Sequence, residues 1–192
     1  MPKILRCLFF GLISCVFYTS LYAASSEPLG AGYFSFKVGN VNFTHDVWEE
    51  NDIEKGYYAA IDWYGDIGSH FYVGGELGYL KSSGEKSGTD TELIFVPFEI
   101  NLKYVLAPIK TIQLDFGFGA SYSYVDGKVA PRTISEKADK DFVLGAQGFM
   151  SINFVFKRLF IGAHAKYQAT QYVAENIDFD NYRIGAHIGL TF

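Results

Sequence analysis

The chain has 192 residues, of which 18% are aromatic, 19% charged and 20 are glycine, with a mean hydropathy of +0.08. That length suits one domain, and aromatic and glycine content this high beside so little charge leans to β-structure; past the amino-terminal segment no apolar run approaches the ~20 residues of a spanning helix, which argues against a helical membrane protein. The formal net charge is −5, which disfavours nucleic acid as a partner.

Residues 1–24 read as a signal peptide. Lys3 and Arg6 form a basic region, Cys7 to Phe17 an apolar one, and Leu21-Tyr22-Ala23-Ala24 a small-residue cleavage site. An uncleaved anchor helix is the alternative, weakened by Thr19, Ser20, Ser25 and Ser26 in its outer half. Leu12-Ile13-Ser14-Cys15 also resembles a lipobox, which would place a lipid on Cys15, but the apolar run continues beyond it and suits the later cleavage better. Both cysteines, Cys7 and Cys15, lie in this segment, so the mature chain from residue 25 is expected to hold no disulfide. Losing Lys3 and Arg6 leaves 14 basic against 21 acidic residues, a net charge of −7.

From Gly30 the pattern becomes alternation in segments of ten or so residues, the signature of transmembrane strands. Strands are predicted at Ala31 to Val41, Gly56 to Tyr64, His70 to Leu80, Glu92 to Leu106, Thr111 to Val125, Asp141 to Phe156, Leu159 to Thr170 and Tyr182 to Phe192. One face of each is free of charge, as in Phe34, Phe36 and Val38 of the first, or Ile94, Val96, Phe98, Ile100, Leu102 and Tyr104 of the fourth. A soluble sandwich would carry many charges on its other face. Here that face holds glycine, serine and tyrosine with isolated charges, which suits a narrow barrel interior.

Aromatic residues on the apolar face mark the two headgroup levels, where a ring is half wet and half apolar. Tyr57, Tyr79, Tyr122, Tyr124, Tyr167 and Tyr182 fall at one side, and Trp63, Phe71, Tyr104, Phe156 and Phe192 at the other. Connections alternate too. Gly65 to Ser69, Ala107 to Lys110 and Lys157-Arg158 are short and periplasmic, whereas Asn42 to Lys55, Lys81 to Thr91, Asp126 to Lys140 and Gln171 to Asn181 are long and external. The expected fold is therefore an all-β, closed, eight-stranded antiparallel up-and-down barrel over residues 25–192, in the bacterial outer membrane.

Three stretches carry a resemblance: Val96-Pro97-Phe98-Glu99-Ile100-Asn101-Leu102-Lys103-Tyr104, Gly117-Phe118-Gly119-Ala120-Ser121-Tyr122, and Ile188-Gly189-Leu190-Thr191-Phe192. They resemble the small outer-membrane barrels that include the OmpA transmembrane domain and OmpX. The resemblance implies that Leu190 and Phe192 form the insertion signal read by the barrel-assembly machinery, and it implies fold rather than activity. The chain ending on the eighth strand also leads us to expect no appended periplasmic domain.

Inside such a barrel there is room for its own side chains or one small ligand. The inward acids Asp62, Glu76, Glu99 and Asp115 match the inward bases Lys37, Lys103, Lys166 and Arg183 in number, so a paired internal network that plugs the lumen is expected. Lys103 and Asp115, brought together by the hairpin at Ala107 to Lys110, are the first pair predicted. His164 and His187 point inward from neighbouring strands without a serine motif, so no catalytic site is assigned. The acidic residues of the first and fourth loops, with His45, match no metal-binding spacing and read as a solvated rim, so no metal or cofactor is assigned. The leading expectation is a non-catalytic structural or surface-interaction protein, in contact with outer-membrane lipid and lipopolysaccharide. The alternative is a narrow OmpW-like conduit for small or apolar molecules.

Overall fold

A computed structural model describes residues 30–50, 52–86, 89–129, 132–133, 142–172 and 177–192. The predicted signal peptide with Cys15, and the greater part of the third long connection, lie outside the described residues. In chain order the elements are β1 (Gly32–Phe43), a single helical turn α1 (Asp46–Glu50), β2 (Lys55–Gly68), β3 (Phe71–Lys86), β4 (Thr89–Ile109), β5 (Ile112–Val129), the two-residue β6 (Arg132–Thr133), β7 (Phe142–Phe156), β8 (Leu159–Thr170) and β9 (Asn181–Thr191).

Each long strand pairs antiparallel with the next. The ring closes where β1 meets β9, from Tyr33 opposite Thr191 to Phe43 opposite Asn181. Eight long strands thus form a barrel with no free edge, while β6 only folds back on the end of β5, Lys128 opposite Thr133. The turns at the lower end are tight: Ser69, His70 and Lys157 all take positive φ. Gly32 sits at the closing seam, where an added Cβ would strike the Tyr64 carbonyl and the ring of Phe192. The Phe192 N–H donates to the Gly32 carbonyl at 2.9 Å, and the reciprocal bond measures 3.2 Å.

The outer surface follows the strict period of two. Phe34, Phe36, Val38, Ile61, Val73, Leu77, Ile100, Phe116, Phe118, Leu144, Met150, Ile152, Phe154, Ile161, Ile184, Ile188 and Leu190 are all exposed. In water such a belt would be an aggregation site; in a bilayer it is the solvent-matched face. No helix among the described residues is long and apolar enough to cross a membrane, and the strands carry the crossing instead.

The strands at the upper end are longer than the alternation predicted. β3 and β4 remain paired from Phe71 opposite Tyr104 up to Lys86 opposite Thr89, and β5 continues beside β4 to Lys128 opposite Glu92. The expected second loop, Lys81 to Thr91, is therefore mostly the upper part of a projecting hairpin. Here Gly84 lies against the Asp52 backbone and Ser82 Oγ donates to the Ile53 and Lys55 carbonyls, so Ser83, Gly84 and Glu85 can pair as strand without any apolar residue to announce it.

Candidate functional site in the lumen

Inward side chains fill the barrel in three layers. At the short-turn end is an aromatic floor of Tyr33, Tyr64, Tyr72, Val105 and Phe160, with Phe149 and Val155 packed against it. Tyr33 stacks on Tyr64 at 5.1 Å between centroids and meets Phe160 edge-on at 5.2 Å. Lys103 roots in this floor: its Nζ lies 4.0 Å from the Tyr33 ring centroid and 4.8 Å from that of Tyr64, and donates to Tyr33 Oη and to Asp115 Oδ2, both at 2.7 Å. A cation over a ring face gains from the ring quadrupole, which offsets part of its desolvation.

The middle layer is charged. Lys37 Nζ reaches Asp62 Oδ2 and Glu76 Oε2, both at 2.7 Å, and Lys166 Nζ donates to Glu76 Oε1 at 2.6 Å and to Glu99 Oε2 at 2.5 Å. Arg183 adds Nη1 to Glu99 Oε1 at 3.0 Å, while its Nε donates to Asn181 Oδ1 at 2.9 Å and its Nη2 to Gln168 Oε1. Ser35 Oγ donates to Asp62 Oδ1. Gln147 Nε2 donates to Asn101 Oδ1 at 2.8 Å, and Gln168 Nε2 to Ser121 Oγ at 2.7 Å. All eight charged residues of the predicted network are buried, and each has an opposite charge within 3.0 Å. Together with Asn101, Ser121 and Gln147, residues from all eight long strands take part. Gly119 makes room for the amide pair, since a Cβ there would overlap the Asn101 side-chain oxygen.

An ion taken from water into so closed a space loses several kcal/mol of solvation, of order, and only multiple good partners return it. Glu76 and Glu99 have that arrangement, because each carboxylate spans two cations from other strands. The belt is consequently a cross-brace, tying β1 and β8 to β3, and β8 and β9 to β4.

The top layer is an apolar cap. Trp48 of α1 turns into the barrel mouth and is fully buried, and Phe43, Ile53, Leu93, Phe95, Val125, Val143 and Phe179 pack in the same cluster. Its indole lies 4.9 Å from the Phe179 ring and donates through Nε1 to the Asp178 carbonyl at 2.9 Å. Asp180 fixes the other side of the cap by accepting from Thr170 N at 2.6 Å and from Tyr167 Oη at 3.0 Å. The first and fourth long loops thus fold over the mouth, where the sequence reading expected them to be presented outward. Sequence reasoning missed Trp48 and Phe179, because single aromatics inside acidic loops carry no period. Gln168, Asn181 and Ser35 were missed too, although each shares the parity of a charged residue two positions away.

The remaining predicted residues fall as follows. Tyr57, Tyr79, Tyr122, Tyr124, Tyr167 and Tyr182 are exposed near the upper rim; Phe71 is exposed and Trp63 and Tyr104 are half-buried near the lower one. Leu190 and Phe192 face outward on β9 and just beyond it. His164 and His187 lie on the β8–β9 wall with their Nδ1 atoms 3.2 Å apart, and the second ring nitrogen of His187 meets Asn153 Oδ1. His45 accepts the Val47 N–H at 3.2 Å beside α1. Among the described residues no three histidine, aspartate or glutamate side chains converge as a metal site would require.

No family model matches the sequence, and no curated protein matches it. Solved structures do. Neisserial surface protein A aligns with a TM-score of 0.63 at 12% identity, over 85% of this chain and 98% of its own. The outer membrane protein OprG from Pseudomonas aeruginosa aligns at 0.54 and 12% identity, over 84% and 97%. The outer membrane enzyme PagL aligns at 0.51 and 10% identity, over 84% and 100%. At such identities the likeness concerns the fold, and that fold hosts both enzymes and non-enzymes. Taken with the apolar belt and the charged interior, it gives this chain the fold of the small, eight-stranded outer-membrane β-barrels.

Proposed function

We propose that the protein is a closed, non-catalytic barrel that acts from its outer surface rather than through its lumen. The observation that supports this is the stack of floor, ion-paired belt and cap, with Trp48, Glu99 and Tyr72 all at 0% exposure. A conduit would need a gap through all three layers. Catalysis would need a nucleophile beside a base, whereas the hydrogen bonds of the inward histidines run to each other and to Asn153. What the fold offers to a partner is the projecting β3–β4–β5 arm, with Lys81, Ser83, Glu85, Tyr124 and Asp126 exposed.

The test is ion conductance of the purified protein in a planar bilayer. No conductance steps above the lipid baseline are expected; a stable ohmic conductance would overturn the closed reading in favour of the conduit. Removal of the arm tip between Ser83 and Thr91 should abolish surface attachment in an adhesion assay and leave the barrel folded.

A further inference from the structure

The mouth of the barrel is walled for an apolar occupant. Inward strand residues there include Val41, Phe43, Leu80, Leu93, Phe95 and Val125, whereas two inward steps deeper than Val41, Leu80 and Phe95 the same strands carry Lys37, Glu76 and Glu99. A wet vestibule needs no such lining; small-molecule sites have it, with a few placed polar groups among the apolar ones. Two polar groups of that kind stand at the base of the cap. Tyr58 Oη, on the strand beside Leu80, and Ser123 Oγ, one inward step below Val125 and opposite Val143, belong to residues at 4% and 0% exposure and hydrogen-bond to no other group among the described residues. A buried hydroxyl without an acceptor is costly, so a ligand that brings one is favoured there.

What fills the mouth comes from the chain itself. Of α1 only Trp48 is buried; Val47 packs partly on the cap, and Asp46, Glu49 and Glu50 stand exposed. The turn is therefore seated chiefly through one side chain, and that side chain has the form of a small ligand. It is a planar ring 4.9 Å from the Phe179 ring and 6.1 Å from that of Phe43, with its N–H on the Asp178 carbonyl. It leaves both hydroxyls unused, because an indole edge donates and has no acceptor to offer them.

We infer that the mouth is a binding site for one small planar aromatic molecule that carries a hydrogen-bond acceptor, and that Trp48 is its built-in competitor. The ligand's ring takes the place of the indole beside Phe43 and Phe179, and its acceptor receives the hydroxyl of Ser123 or Tyr58. Entry requires the release of α1, so the apparent affinity scales with the fraction of time that Trp48 is out of its seat. The ion-paired belt lies beneath the site, so binding needs no opening of the lumen and the inference stands whether or not the barrel conducts.

Nuclear magnetic resonance of the isotope-labelled protein in lipid nanodiscs tests it, with indole-3-carbaldehyde as the probe and indole as the same ring without a carbonyl. The chain has 2 tryptophans, so the indole N–H region holds one signal for each, and the half-buried Trp63 of the outer wall serves as the internal control. The aldehyde is expected to move the Trp48 signal to a solvent-exposed position and leave that of Trp63 in place, with indole binding about fivefold more weakly for want of one hydrogen bond. Trp48→Ala, read by saturation transfer to the ligand, should bind the aldehyde about tenfold more tightly than the native protein, since the competitor is gone. Ser123→Ala combined with Tyr58→Phe should bring the aldehyde down to the affinity of indole. Electrophoretic mobility before and after heating establishes that each variant is folded. A Trp48 signal unmoved in the native protein at the probe's solubility limit overturns the inference and makes the indole a fixed plug, whatever the variants do. Equal shifts of both tryptophan signals overturn it too, as partitioning into lipid, and a preference for the aldehyde that survives loss of both hydroxyls overturns the placement of the acceptor.

Discussion

The belt and the cap both lie inside the same tube, yet they are built from opposite materials. The belt is made of strand residues whose partners sit across the barrel, such as Lys166 with Glu76 and Arg183 with Glu99, so it cannot loosen without disturbing the walls. The cap is a joint structure, with Trp48 and Ile53 from one connection and Phe179 from another packed on inward strand residues such as Phe43, Leu80, Leu93 and Phe95. Apolar contacts of this kind are non-directional and can part and re-form, whereas a buried ion pair that parts leaves two uncompensated charges. The filling of the lumen thus has one part tied together by charge across the wall and another held by apolar contact between loops and wall.

The largest effect expected from breaking this contrast is in the belt. Glu76→Ala takes from Lys37 and from Lys166 one of their two carboxylate partners each, and should cost about 3–5 kcal/mol, read from urea unfolding of the protein folded in phospholipid vesicles. A loss below about 1 kcal/mol would mean that the belt is not a brace. In the cap, Trp48→Ala should cost about 3 kcal/mol, the low end for a large aromatic because the loop can relax. Proteolysis between Thr44 and Glu54 should speed up while the bilayer stays non-conducting, since the belt remains; appearance of conductance would assign the seal to the cap alone.

The floor pair sharpens the point at a smaller scale. Replacing both partners, Lys103→Met with Asp115→Leu, should leave stability within about 1 kcal/mol of native, while Asp115→Leu alone should be clearly worse, because it leaves a buried cation with only Tyr33 and the ring faces. Smallest of all is the exposed pair at the rim: Lys81→Ala should leave the unfolding midpoint unchanged.

How much of this was legible in the sequence depends on which residues a period of two can reach. Parity alone separates Phe36 from Lys37 and Ile100 from Glu99, so both faces of the barrel and the members of the belt could be read directly. The Lys103–Asp115 contact was also accessible, since a short hairpin joins their strands. The belt's other partners were not, because parity tells which way Glu76 points but not that Lys166, ninety residues on, stands across from it. Where neither face carries apolar side chains, as around Ser83 and Glu85, period carries no information and the strand was read as loop. The cap was hidden because Trp48 is flanked by Asp46, Glu49 and Glu50, and its burial is decided by the mouth it enters rather than by its neighbours in sequence.

The seam between β1 and β9 has a consequence for how fast the molecule can form. Tyr33 must find Thr191 from the far end of the chain, and the pairs of Lys166 with Glu76 and of Arg183 with Glu99 are complete only when the ring has shut. Until then their charges sit in a half-open trough without all their partners. Desolvation of the belt therefore falls on the closing step, and high contact order adds its own delay. The feature that holds the finished barrel rigid is the one that sets its folding clock.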